Sequence, residues 1–251
     1  MKTVINKLNI GYDIAGEGTP VLLLHGWGVD RSSLKPVFDN LKGICRVCSV
    51  DLPGFGESDE PETPYTADDY ADFIESFIEF TGFVKPVIFG HSNGGRCSIA
   101  LTGRGYDNIS KLVLTGSTGI KPKRKLSYYI RTYSFKLGKK ALKWPLIGKL
   151  LSKKFDPSKY GSADYKAASP LMKRTMSLLI NQDLTDRLKN IKVPALLFWG
   201  ENDTAAPLSD GKKMEKLIPD AALIIYKGGN HYAFLHNFNE FIAAFSHFIT
   251  H

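Results

Sequence analysis

Residues 86–89 form a short apolar run, and Gly90-His91-Ser92-Asn93-Gly94 follows at once, leading into a small-residue stretch that reads as a helix to about Gly103. Gly-x-Ser-x-Gly between a buried strand and a helix constrains a chain strongly. The strand must turn sharply into the helix with the serine at the apex. The residues two before and two after must then be small, and Gly90 and Gly94 meet that need. Such a turn exposes the hydroxyl near a helix N-terminus, where the dipole favours developing negative charge.

A serine hydroxyl is a poor nucleophile until a base takes its proton. Of the six histidines, His231 has the right placement. It follows the strand-like run 222–226 and the turn Gly228-Gly229-Asn230, and open α/β sheets place their chemistry in loops at strand C-termini. The acid is expected after the preceding strand, 194–199, in Gly200-Glu201-Asn202-Asp203, where Glu201 and Asp203 are the candidates. An acid after strand 111–115 is excluded because Gly116 and Ser117 stand there. Oxyanion donors are expected from the Asn93 N–H and, through the glycine-rich turn His25-Gly26-Trp27-Gly28 after strand 20–25, from the Trp27 N–H.

Leu-Leu-His-Gly-Trp-Gly, Asp51-Leu-Pro-Gly-Phe-Gly-Glu-Ser58, Gly-His-Ser-Asn-Gly-Gly, Gly-Glu-Asn-Asp and Gly-Asn-His-Tyr together resemble the α/β-hydrolase superfamily. The resemblance covers nearly the whole chain apart from residues 119–190, and it is nearest to small bacterial carboxylesterases and C–C hydrolases. It implies a mostly parallel central sheet flanked by helices, with a helical cap inserted after strand 6. The core domain is then 1–118 plus 191–251, and the cap is 119–190. Ser92, Asp203 and His231 are the implied catalytic residues, with Trp27 and Asn93 forming the oxyanion hole. His25, Gly26, His91, Arg96, Tyr129 and Trp144 are the candidates for substrate binding. Epoxide hydrolases and haloalkane dehalogenases carry an aspartate at the Ser92 position, so those branches do not fit. Asn93 stands where Met, Leu or Phe is commoner, and Arg96 is similar to some menaquinone-pathway members.

The 251 residues, 43% hydrophobic, suffice for one large domain with an insertion. No apolar run spans a membrane, and residues 1–7 lack an apolar leader, so a cytoplasmic location is expected. Three cysteines fit a reducing compartment, and Cys45 and Cys48, three apart in a strand pattern, point to opposite faces. Strand and helix signals alternate: strands 4–8 and 10–14 as an antiparallel edge, 20–25, 45–50, 111–115, 194–199 and 222–226, with helices 33–41, 67–81, 207–218 and 238–250. Thr66 reads as an N-cap and Gly82 as a terminator. There is no metal-ligand cluster and no phosphate-cradling glycine motif, so no cofactor is expected.

The insertion is unusual in charge. Residues 119–190 hold 18 of the 33 basic and 4 of the 25 acidic residues, a net of +14, so the remainder carries −6. Three readings stay open: a solvated lid face, a landing site for an acidic carrier protein or anionic substrate, and contact with an anionic membrane surface. Nucleic acid is not expected. The expected activity is hydrolysis of a carboxylic ester or thioester through an acyl-enzyme. The alternatives are C–C bond cleavage or pyruvate elimination on a carboxylated substrate, and a non-catalytic binder that keeps the fold.

Overall fold

The computed structural model describes residues 1–122, 133, 134 and 163–251. Contacts divide the chain into two compact units, Met1–Lys121 with Ser169–His251, and Pro122–Ala168. Tyr129 and Trp144, expected at the substrate site, lie outside the described residues. Within the second unit, residues 163–167 form one helical turn.

The larger unit is built on an eight-stranded sheet in the order β1-β2-β4-β3-β5-β6-β7-β8. The strands are β1 (Lys2–Ile5), β2 (Leu8–Ala15), β3 (Pro20–Leu24), β4 (Arg46–Val50), β5 (Val87–His91), β6 (Lys111–Thr115), β7 (Ala195–Gly200) and β8 (Ala221–Tyr226). β1–β2 and β2–β4 pair antiparallel, and the other pairs are parallel. Parallel strands buried on both faces read as continuous apolar runs, as Val21-Leu22-Leu23-Leu24 does. The N-terminal edge differs from the expectation of a strand over 4–8. Asn6 and Lys7 both take positive φ, 49° and 68°, so a tight turn falls inside that run and β1 pairs back on β2.

Helices cover both faces. One core cluster packs the sheet against α2 (Ala67–Thr81) and α3 (Asn93–Gly103). The other packs it against α1 (Lys35–Leu41) and the terminal helix Phe238–Thr250. Cys45 lies in the second cluster and Cys48 in the first, as alternation along a strand requires. Thr66 caps α2 in a reciprocal capping box with Asp69, and Gly82 ends it at φ 65°.

The expected cap boundary needs correction. Residues 169–190 belong to the larger unit, not to the insertion. Ser169 caps the helix Pro170–Asn181, and that segment is tied to the core by side chains. Thr175 Oγ1 accepts the Tyr65 N–H at 3.1 Å, Gln182 Oε1 accepts the Ala67 N–H at 2.9 Å, and Arg187 pairs with Asp68. A helix over 170–181 is not among those expected from periodicity, and its docking is set by these contacts with distant residues.

Candidate active site

Ser92 sits between β5 and α3 with φ 52° and ψ −109°, the strained conformation that an elbow imposes. Its N–H donates to the Thr115 carbonyl at 3.0 Å, and its own carbonyl accepts from Arg96 N and Thr118 N, both at 3.1 Å. The small flanking residues are required by space. A β-carbon on Gly90 would lie 2.6 Å from Gly95 backbone atoms, and one on Gly94 would lie 2.2 Å from the Leu24 carbonyl.

Asp203 and His231 come together from separate turns. Asp203 is buried in the turn after β7, and its Oδ1 accepts from Ala205 N at 2.8 Å and Ala206 N at 2.9 Å. Its Oδ2 lies 2.8 Å from His231 Nδ1. A carboxylate only accepts, so Nδ1 carries the proton and Nε2 is left as the basic nitrogen. Glu201 acts elsewhere. It is exposed, and its Oε2 accepts the Gly228 N–H at 2.9 Å, linking the β7 turn to the turn that carries His231. Asn202 N to Gly229 O, 2.8 Å, strengthens that link.

Gly116 is part of this site, and its role was not evident from the sequence. At φ 47° it faces the pair: a β-carbon there would stand 2.9 Å from both Asp203 Oδ2 and His231 Nδ1. The sequence shows only that no acid occupies the position, because its need for empty space arises from β7 and β8.

The loop after β3 approaches the serine closely. A β-carbon on Gly26 would lie 3.3 Å from Ser92 Cβ. Trp27 packs edge-on against Phe55, with centroids 4.9 Å apart. Four of the expected substrate contacts fare differently. Gly26 borders the serine. His25 is fully buried: Nδ1 donates to Gly26 O at 2.7 Å and Nε2 accepts the Leu52 N–H at 3.0 Å, so both ring nitrogens brace the loop. Burial lowers its pKa. His91 is also buried, on Thr115. Arg96 is buried, with Nη1 donating to the Leu179 and Gln182 carbonyls and Nε to Thr118 Oγ1. Burial pushes it down to about 10, so it stays cationic at neutral pH.

Arg31 is a further support with no signal in its own segment. It pairs with Asp13, Asp51 and Glu57, and Asp51 also accepts the Arg31 and Glu57 N–H groups at 2.8 and 2.9 Å. The network joins the segment after the β3 loop to the turn that carries Phe55. A cavity of about 710 Å³ beside these carboxylates does not include Ser92 or His231 in its lining.

A serine on a strand–turn–helix apex, with an acid and a histidine on the ends of later parallel strands, defines the architecture of nucleophile-elbow hydrolases. A model of the alpha/beta hydrolase family matches residues 21–244, and the chain belongs to that family. Relatives include the AB hydrolase superfamily protein YisY of Bacillus subtilis, 27% identical over 248 residues and covering 92% of each chain. A pimeloyl-[acyl-carrier protein] methyl ester esterase of Nitrosospira multiformis is 26% identical over 265 residues, covering 95% of this chain and 97% of its own. Among solved structures, an esterase from Exiguobacterium antarcticum matches with a TM-score of 0.78 at 23% identity, covering 99% of this chain and 98% of its own. A membrane phospholipase A, a bacterial virulence factor, matches at 0.79 and 23%, covering 100% and 85%. These two likenesses concern the fold.

Proposed function

We propose that this protein is a serine hydrolase that cleaves a carboxylic ester through an acyl-enzyme. The observation that carries the reading is the 2.8 Å contact between buried Asp203 and His231. It leaves Nε2 basic on the same sheet edge as the strained Ser92. In the proposed reaction Ser92 Oγ attacks the ester carbonyl carbon while His231 Nε2 takes its proton. The oxyanion is held by the Trp27 and Asn93 N–H groups. The intermediate collapses, the C–O bond to the alcohol breaks, and His231 returns the proton to the leaving oxygen. Water then attacks the acyl carbon with His231 again as base, releasing the acid and free Ser92. Asp203 keeps the imidazole in the required tautomer. C–C cleavage of a carboxylated substrate is the second reading, suggested by Arg96 and the basic insertion; Nε and Nη1 of Arg96 are engaged on a hydroxyl and two carbonyls.

For the rest of the substrate, an acidic acyl carrier is favoured. Two facts support it: the net +14 over residues 119–190, and relatives named as esterases of a carrier-bound acyl ester. Fluorophosphonate labelling with peptide mapping, alongside a panel of p-nitrophenyl esters and acyl-carrier esters, tests the reading. Labelling at Ser92 and its loss in Ser92→Ala are expected, with ester turnover falling by about 10⁶ in that variant. Folded wild-type protein that neither labels nor turns over would instead indicate a binder.

A further inference from the structure

His91 precedes the elbow serine at the end of β5 and is only 1% exposed. Its Nδ1 lies 3.0 Å from the Thr115 carbonyl and 3.0 Å from Thr115 Oγ1. A carbonyl only accepts, so Nδ1 carries the proton and Nε2 is an acceptor. That Nε2 is buried and has no hydrogen-bond partner. An orphaned buried polar atom costs free energy, about 1–3 kcal/mol, so an imidazole is a poor choice for filling space alone.

The surroundings of the ring give it a further role. The His231 ring lies on it with centroids 4.8 Å apart and planes at 47°. Tyr232 at 4.8 Å and Phe234 at 5.0 Å complete that side. On another flank is the loop after β3: a β-carbon on Gly26 would come within 3.3 Å of His91 Cδ2 and 3.3 Å of Ser92 Cβ. The Thr115 carbonyl that anchors the ring also accepts the Ser92 N–H. The next residue, Gly116, lies against the Asp203–His231 contact. One side chain therefore touches His231, the loop beside the serine, and the strand end that holds the serine.

We infer that His91 is a positioning residue: its ring, anchored on Thr115, supports His231 and sets its place relative to Ser92 and Gly26. The inference rests on the reading of Ser92 as nucleophile and His231 as base. The charge state suits that role. Burial, then the neighbouring His231, lowers His91 to about 3, with His25 acting the same way and Asp203 opposing. The support thus stays neutral at working pH and adds no second cation beside the imidazolium that the reaction forms.

Three variants separate ring from anchor. His91→Asn keeps an N–H near the Nδ1 position and loses the ring. His91→Phe keeps a ring without the N–H, and His91→Ala loses both. The readouts are kcat and KM on a p-nitrophenyl ester, melting temperature, and the proton NMR signal of His231 Nδ1–H. A misplacement near 1 Å lowers turnover about 10²-fold, so Ala and Asn should lose roughly that in kcat with KM within about twofold, and Phe should recover to within about tenfold of wild type. The His231 signal should be sharp in wild type and Phe, and broadened in Ala and Asn. Lower melting temperatures with kcat and the His231 signal unchanged would overturn the inference, since the ring would then only fill space. The signal needs no turnover. It judges His91 even if wild type fails to label with fluorophosphonate, an outcome that would sink the functional reading instead.

Discussion

At the scale of single residues, the site depends on which carboxylate meets His231 and on what is left empty around them. Asp203→Asn should keep the geometry while favouring the wrong histidine tautomer, with a loss of about 10⁴ in kcat. Glu201→Gln should lower kcat far less, because Glu201 joins two turns and does not reach the histidine. Steady-state kinetics on one ester decides it, and a larger loss in the Gln variant would reverse the assignment. Gly116→Ala is the matching test of empty space. The new β-carbon would press on both atoms of the Asp203–His231 contact, at a φ that L side chains rarely adopt. A shift of that contact by a fraction of an ångström to 1 Å should lower kcat by up to about 10²-fold with little change in KM. A variant that folds and keeps wild-type kcat would show that the contact tolerates crowding.

At the scale of elements, the elbow helix does two jobs. Its first turn carries Ser92 and Asn93, and its second carries Arg96, which holds the helix Pro170–Asn181 by its terminal carbonyls. Arg96→Leu removes those donors and leaves buried acceptors, so stability should fall by about 1–3 kcal/mol. For a domain of this size that is a drop of roughly 2–4 °C in Tm for each kcal/mol. Differential scanning calorimetry measures it. If Arg96 served instead to bind a substrate carboxylate, Tm would hold and KM for anionic esters would rise. Nothing local in the sequence shows the helix Pro170–Asn181 or that α3 and residues 169–190 are joined.

At the scale of the molecule, two buried histidines make stability depend on acid. His25 and His91 both have pKa values below the usual 6.5, His91 at about 3. Between those limits the unfolded chain binds protons that the folded chain does not, so stability falls as pH drops below 6.5 and is complete above it. For His91 the slope approaches about 1.4 kcal/mol per pH unit, and His25 adds to it with the same sign. Melts from pH 7.5 to pH 4 should show it, with a smaller slope in His91→Phe; a flat Tm would contradict it. Charge is the other molecular property. Replacing Lys139, Lys140, Lys143, Lys153 and Lys154 by Gln should leave small neutral esters unaffected. On an acyl-carrier ester it should lower kcat/KM and weaken the salt dependence, because surface charge sets encounter rate over a screening length of about 8 Å. Equal kcat/KM for variant and wild type on carrier substrates would favour a solvated lid face. Among the described residues no helix is long and apolar enough to cross a membrane.

Most of the strands and helices, the elbow, the N-cap of α2 and the turns that hold Asp203 and His231 were legible in the sequence. Each is written in a few adjacent residues: an apolar period, a glycine where φ must be positive, or a capping oxygen. The rest depends on separate turns meeting, which only the folded chain brings about. It paired His231 with Asp203 while Glu201 tied the turns together, and it made Gly116 the empty space beside the pair. It buried His25, His91 and Arg96 with bonds to backbone and hydroxyl groups around the elbow, and it placed residues 169–190 in the core unit. Arg31 belongs to the same group, since its three carboxylate partners come from β2 and from the turn after β4. A polar side chain near a reactive motif carries no local mark of whether it faces a ligand or a backbone carbonyl. That is settled by the path of distant chain, which brings the carbonyl of Leu179 to Arg96 and that of Thr115 to His91.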